Sequence, residues 1–174
     1  LFFEGSAHVP LLIMPPQGRS LPQNISVEAP TDLVDLYPTI LAMAGLSSPV
    51  SVSGRNLLEP VPMDRIFFGN SLNRNFCVME EKLKLVYSAV GDHVLLFDLN
   101  TDPMEQHNLA EDPAWQERKA KLWKLLLEHT AQYTPEALDE NGQFLTYEAP
   151  HFPGDVPGRW FGFHYHDYSV DTFH

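Results

Sequence analysis

A chain of 174 residues has room for one domain with a sizeable core, or for one domain and an appendage. With 44% apolar and 20% charged residues it has the composition of an ordinary globular protein, and its formal charge of −12 argues against nucleic acid and anionic membrane as partners, since both reward a basic face. No apolar stretch approaches the roughly 20 residues that span a bilayer, and a single cysteine, Cys77, excludes an internal disulfide framework and any CxxC metal or redox pair.

The chain opens "LFFEGSAHVPLLIMPP", inside an apolar run. Val9 to Met14 form a continuous apolar stretch closed by Pro15-Pro16, which predicts a strand covered on both faces. Such a strand needs neighbours, and no βαβ series follows to supply them, so its sheet is expected upstream of Leu1. Its open edge at residues 9–14 would otherwise offer a surface for self-association. Asn24 in "NIS" matches a glycosylation sequon, which carries meaning only in a secreted eukaryotic protein. Localisation stays open: cytoplasmic or periplasmic if the source is bacterial. In "APTDLVDLYPTILAMAGL", Asp35 is read as an N-cap, Pro38 as a first-turn residue and Gly45 as the C′ residue of a helix. Leu36, Ile40, Leu41 and Ala44 form its apolar stripe.

Four apolar runs follow, "RIFFGN", "NFCVME", "LKLVYSA" and "HVLLFDL", and predict an antiparallel meander. Two links are legible, "EEK" and the Gly-Asp of "AVGDH". After the turn-rich "NTDPMEQHNLAEDP", Asp112 and Pro113 start a helix that runs to about Tyr133. Trp115, Leu122, Leu126 and Tyr133 share a face that can cover the sheet, each large side chain contributing roughly 1.5–3 kcal/mol on burial. From Pro135 to His174 the chain has neither period, yet it is rich in aromatics, which argues for an ordered strap over a surface.

In this order, "FFEGSAHVPLLIMPP", "DLVDLYPTILAMAGL", "GRNLL" and "KLVYSAVGDHVLLFDLNTDPMEQHNLA" resemble the C-terminal third of type I sulfatases, in the alkaline phosphatase superfamily. The family phrases read approximately E-x-x-x-R-V-P-L-I-x-x-P, D-L-x-P-T-x-L-x-x-A-G and K-L-x-x-x-x-L-Y-D-L-x-x-D-P-x-E-x-x-N-L. The resemblance covers about residues 1–130, and the ending "GRWFGFHYHDY" is similar to aromatic C-terminal extensions of some bacterial members. It implies an α+β fold: the end of an α/β catalytic domain over residues 1–60, and a C-terminal subdomain of about four antiparallel strands on a long helix over 61–134. The aromatic strap over 135–174 completes the chain.

By the same resemblance, the parent enzyme hydrolyses sulfate esters of small molecules. Its nucleophile is a formylglycine made from Cys or Ser in C/S-x-P-x-R, and a divalent cation, usually Ca2+, stabilises the charge. Carried over residue by residue, little of that machinery is here. Cys77 is followed by "VMEE" and no metal segment of the S-D-H-G type occurs. The family's active-site Lys stands a few positions before the Glu matching Glu4, hence before Leu1. The chain is therefore expected to lack a complete catalytic centre, to bind no metal of its own and to be inactive alone. His8 stands where the family commonly has Arg. Sister hydrolases acting on phosphate monoesters, phosphodiesters or phosphonates are not separated by this third, and a non-catalytic interaction module is the other alternative.

Individual residues admit sharp and bland readings. His164, His166 and Asp167 in "HYHD" could supply three zinc ligands. Arg159, Trp160 and His164 could instead border a substrate, and all of them could simply pack. Glu4 reads as positioning a loop by hydrogen bonds. Asp98, Asp102 and Glu105 lack the Gly and terminal Glu of an EF-hand and read as turn residues. Cys77, among strand formers, reads as a buried and inert thiol.

Overall fold

The computed structural model describes residues 2–14, 26–49 and 51–148. They fall into two compact units, one of Leu1–Val9 with Phe68–His174 and one of Pro10–Phe67.

The first unit is built on the four expected strands: β1 (Phe67–Ser71), β2 (Asn75–Glu80), β3 (Leu83–Ser88) and β4 (His93–Asp98), lying side by side in chain order. Antiparallel registers place Phe76 opposite Tyr87 and Val78 opposite Leu85, and then Leu85 opposite Leu96. Alternation along a strand sends these residues to one face. There they meet Leu122 and Leu126 of a long helix, and all seven are buried.

Tight turns close the meander. Glu81 and Lys82 both adopt positive φ, 48° and 65°, the two-residue geometry whose twist suits a hairpin. The third link uses Gly91 and Asp92 at φ 79° and 54°, as the Gly-Asp pair predicts. The first link does the same with Leu72 and Asn73, at φ 57° and 54°, although leucine carries no turn signal. Left-handed backbone costs an L-residue on the order of 1 kcal/mol. Replacing exposed Glu81-Lys82 by Asn-Gly should therefore stabilise the chain by about 1 kcal/mol, read as a rise in the thermal midpoint. An unchanged or lower midpoint would contradict the turn assignment.

The helix begins as expected. Asp112 Oδ1 accepts from Ala114 N at 2.9 Å, Pro113 opens a 3-10 turn (Pro113–Trp115), and α-helix continues over Gln116–Tyr133. Its buried face differs from the expected one at the C-terminal end. Leu122, Leu126 and Thr130 are buried, whereas Tyr133 is 57% exposed. Thr130 can replace a larger apolar residue because its hydroxyl donates to Leu126 O at 2.8 Å, and Tyr133 lies instead against His129, ring centroids 4.6 Å apart. Residues 135–148 cross the same side: Phe144 is buried with its ring 4.6 Å from both Phe76 and Tyr87 and 5.5 Å from Trp123. Tyr147 N donates to Ala89 O at 2.8 Å. Residues 135–148 thus lie on the sheet through Phe144 and Tyr147, and the rest of the expected strap lies outside the described residues.

Residues 2–8 lie against the opposite face, with a short helix α1 (Glu4–Ala7) and the Phe3 ring tilted against Phe97, centroids 6.1 Å apart. Both faces of β3 are covered, so all six of its residues are buried. The expected strand at Val9–Met14 is not formed. Residues 9–14 have no regular structure, and Leu12 and Met14 are 94% and 85% exposed. An apolar run becomes a strand only when a neighbour takes its hydrogen bonds, and among the described residues none pairs with it.

The second unit holds a 3-10 turn (Leu33–Asp35) and helix α2 (Leu36–Ala44); the long helix Gln116–Tyr133 is α3. Gly45 ends α2 at φ 77°, as expected. Asp35 is not the cap it was read to be. Asp32 is: its carboxylate accepts from Leu33 N, and Asp35 reciprocates by accepting from Asp32 N. The apolar stripe turns inward only in part within this unit: Leu36 and Leu41 are half-buried. Ile40 is 61% exposed and Ala44 is exposed, while Pro38 and Thr39 are buried. Thr39 Oγ1 donates to Asp35 O at 2.6 Å and accepts from Leu57 N at 2.9 Å. The inner side of α2 meets loop backbone, whose N–H groups need acceptors, and polar residues supply them. The approach is so close that a Cβ at Gly54 would fall 1.9 Å from Val34 O.

Candidate functional site

Strand β3 places Lys84 on the face that otherwise carries Val86, with Cys77, Leu95 and Phe97 on its neighbours. A lysine there must be paired, because an isolated buried ammonium is strongly penalised. Lys84 Nζ lies 2.6 Å from Glu4 Oε1 and 2.9 Å from Glu105 Oε1. Glu105 Oε2 accepts from Glu4 N at 2.5 Å, and Glu4 Oε2 meets His8 Nδ1 at 2.9 Å. The Lys84 and Glu105 side chains are each 3% exposed. Burial alone would lower the Lys84 pKa, but the hydrogen bonds it donates to Glu4 and Glu105 outweigh that and hold it above the usual lysine value. Burial alone would raise Glu4, and the hydrogen bond and charge of Lys84, then those of His8, bring it below the usual carboxylate value.

Glu4 therefore positions a loop by hydrogen bonds, as read. Glu105 closes a turn, as read, its N–H donating to Asp102 O at 3.1 Å and its φ at 55°, but its side chain is also a buried partner of Lys84. Asp98 and Asp102 do serve turns, accepting from Asn100 N at 3.1 Å and His107 N at 2.7 Å. Asn108 Oδ1 accepts from Leu96 N and Ala110 N and ties the loop to β4. From the sequence, Lys84 is not singled out and Glu105 reads only as a turn residue. No local signal marks the lysine: it shares its strand face with Val86 and Ser88 and reads like a solvent-facing residue.

In the second unit, Asp35 is fully buried and gripped by Arg65, Nη1 to Oδ2 at 2.5 Å and Nη2 to Oδ1 at 3.0 Å, with Arg55 N at 2.8 Å. The Asp35 carboxylate is hydrogen-bonded at both oxygens, whereas the buried Glu105 Oε1 has only the 2.9 Å ion-pair contact with Lys84, and neither arrangement sets a nucleophile beside a base. Cys77 is fully buried, and burial pushes its thiol up to about 12, so it is inert as read, although Lys84 lies near it. Among the described residues no three His, Cys, Asp or Glu side chains are grouped to hold a metal ion. Asn24, Arg159, Trp160, His164, His166 and Asp167 lie outside the described residues.

No protein-family model matches the chain. It is similar to curated proteins: 37% identical over 128 residues to arylsulfatase K of Xenopus laevis, covering 62% of this chain and 23% of that one. With arylsulfatase K of Bos taurus it shares 34% over 127 residues, again 62% and 23%. With choline-sulfatase of Rhizobium meliloti the figure is 35% over 150 residues, 79% of this chain and 28% of that one. Among solved structures, a phosphonate monoester hydrolase of Agrobacterium radiobacter is 25% identical with a TM-score of 0.49, covering 67% and 29%. A 2-O GAG sulfatase is 21% identical with a TM-score of 0.48, covering 67% and 30%. The chain is thus sulfatase-like over most of its residues, and it spans about a quarter of the length of the curated relatives it matches.

Proposed function

We propose that this sulfatase-like chain is the C-terminal part of an enzyme that hydrolyses sulfate esters of small molecules, with residues 1–60 ending the catalytic domain and 61–134 forming the C-terminal subdomain. The observation that carries the reading is the similarity to sulfatases over 127 to 150 residues. The geometry supports it from a second side. Glu4 of the first sulfatase-like phrase meets Lys84 and Glu105, which lie 21 residues apart in the last one, and Asp98, Asp102 and Asn108 of that last phrase hold its loop.

The residues described here do not fit a Ca2+ ion. The two carboxyls that approach each other, Glu4 and Glu105, are both engaged by Lys84, and no group of three ligands forms among the described residues. In this reading the cation, the formylglycine and the charged groups that stabilise the transition state belong to the remainder of the enzyme. The chain by itself supplies the sheet and helix on which that remainder is completed.

The test pairs two preparations. The 174-residue chain is expected to give no Ca2+-dependent turnover of an aryl sulfate, while the longer enzyme encoded with it carries C/S-x-P-x-R and does turn the substrate over. Turnover by the chain alone that survives repurification, or a longer reading frame without that motif, sinks the proposal. A threonine at the nucleophile position, with turnover of phosphate or phosphonate esters instead, moves it to a sister hydrolase. A chain expressed naturally by itself and inactive would be an interaction module.

For Arg159, Trp160 and His164 we propose contact with substrate, since a guanidinium and an imidazole suit a sulfate and an indole suits an adjoining ring. Ending the enzyme after Pro150 should then raise KM or change substrate preference more than it lowers the melting temperature. Unchanged activity on every substrate with lowered stability would leave these residues a packing role.

A further inference from the structure

We propose that Lys84 and Glu105 are positioning residues: together they fix residues 2–8 in one register on the sheet face opposite α3. In the sulfatase reading above, on which this part of the inference rests, they thereby set the polypeptide leading into that segment.

Stability does not account for them. Exchanging a buried ion cluster for apolar residues of similar volume is often neutral or stabilising, and the face around Lys84 is already apolar. What the cluster adds is geometry. Glu4, Lys84 and Glu105 form a closed ring of contacts: Glu4 carboxylate to Lys84, Lys84 to Glu105, and Glu105 back to the Glu4 backbone N–H. An apolar side chain at 84 would bury equally well but would let the segment slide.

The surroundings are arranged to keep this ring. Glu105 accepts the strained left-handed backbone, φ 55°, that aims its carboxyl inward. Phe3 lies against Phe97, and Phe2 sits so close to Gly69 that a Cβ there would fall 2.6 Å from its ring. These aromatic contacts hold the residues just before Glu4. Helix α1, at four residues, is far too short to persist by itself, so its shape is imposed by these contacts.

Amide hydrogen exchange on the 174-residue chain tests the clamp directly. The N–H groups of Ser6, Ala7 and His8 bond within the segment, to Phe3 O and Glu4 O. Lys84→Met also leaves Glu105 buried without its cation, which lowers the stability of the whole unit. Beyond that common loss, the exchange at residues 6–8 should rise about ten-fold or more relative to the amides of β2 to β4. Glu4→Gln keeps the Lys84–Glu105 pair and should give the same pattern if Lys84→Met does not fold. In the longer enzyme, Lys84→Met should lower kcat about ten-fold with KM nearly unchanged, and Lys84→Arg should restore part of it. Leu126→Ala, which destabilises from the other face, should leave kcat as it is. Exchange at residues 6–8 that rises no more than that of β2 to β4 in a folded variant, or a kcat that follows melting temperature alike in Lys84→Met and Leu126→Ala, overturns the inference. A wild-type enzyme without sulfatase turnover would refute the functional reading, while the exchange result would still decide the clamp.

Discussion

Leu126→Asp is expected to abolish the cooperative thermal transition of the unit that contains the sheet. Leu126 is 1% exposed in the middle of α3's buried face, against the side of the sheet that carries Phe76, Leu85 and Tyr87. Removing a buried leucine there costs about 2–5 kcal/mol. An unpaired carboxylate in the same place adds several more, and a folded domain holds only about 5–15 kcal/mol in total. The measurement is near-ultraviolet circular dichroism, because Trp123, Tyr87 and Phe144 form a packed aromatic group beside this site, Trp123 edge-on to Tyr87 at 4.9 Å. That signal should vanish. The control is Lys124→Asp, two residues earlier on the exposed side, which exchanges a 3.8 Å surface pair with Glu128 for a like-charge pair and should melt within about 1 kcal/mol of wild type. Similar melting of Leu126→Asp and Lys124→Asp would mean that α3 does not cover the sheet as described.

That helix and the strands were legible because their signals are local. Short apolar runs such as "NFCVME" and "HVLLFDL", bounded by turn residues, mark strands wherever they end up, and Asp112-Pro113 starts a helix by chemistry within two residues. The misreadings share a cause in the opposite condition. The run at residues 9–14 reports that burial would be favourable but not what would supply it. The stripe on α2 gives the helix its period, yet which side turns inward within the unit was decided by the N–H groups of Arg55 and Leu57, many residues away. Lys84 is the sharpest case. In "EKLKLVY" it alternates with Leu83 and Leu85 like any solvent-facing residue of a one-sided sheet. Only the coverage of both faces, and partners 80 and 21 residues away in Glu4 and Glu105, make it a buried cation.

Arg65→Met should destabilise the second unit by about 3–5 kcal/mol near neutral pH, the usual cost of leaving one member of a buried pair without its partner. Asp35 is fully buried; without the guanidinium it keeps only the N–H groups of Arg55 and Asp32. The pH dependence separates this from a general packing defect. Burial alone would raise the Asp35 carboxyl, but the hydrogen bonds of Arg65, Arg55 and Asp32 and the charge of Arg65 hold it below the usual value. A group whose folded pKa is depressed contributes stability that is fully present above its unfolded pKa, about 3.9, and that is lost as pH falls through the folded value. The advantage of wild type over Arg65→Met should therefore be widest well above about pH 4 and shrink below it, because protonated Asp35 no longer needs a cation. The amides of α2 report this unit by hydrogen exchange. A wild-type advantage that keeps its size as pH falls would show that Arg65 acts there through the packing of its carbon stem, and that the charge on Asp35 is neutralised by other means.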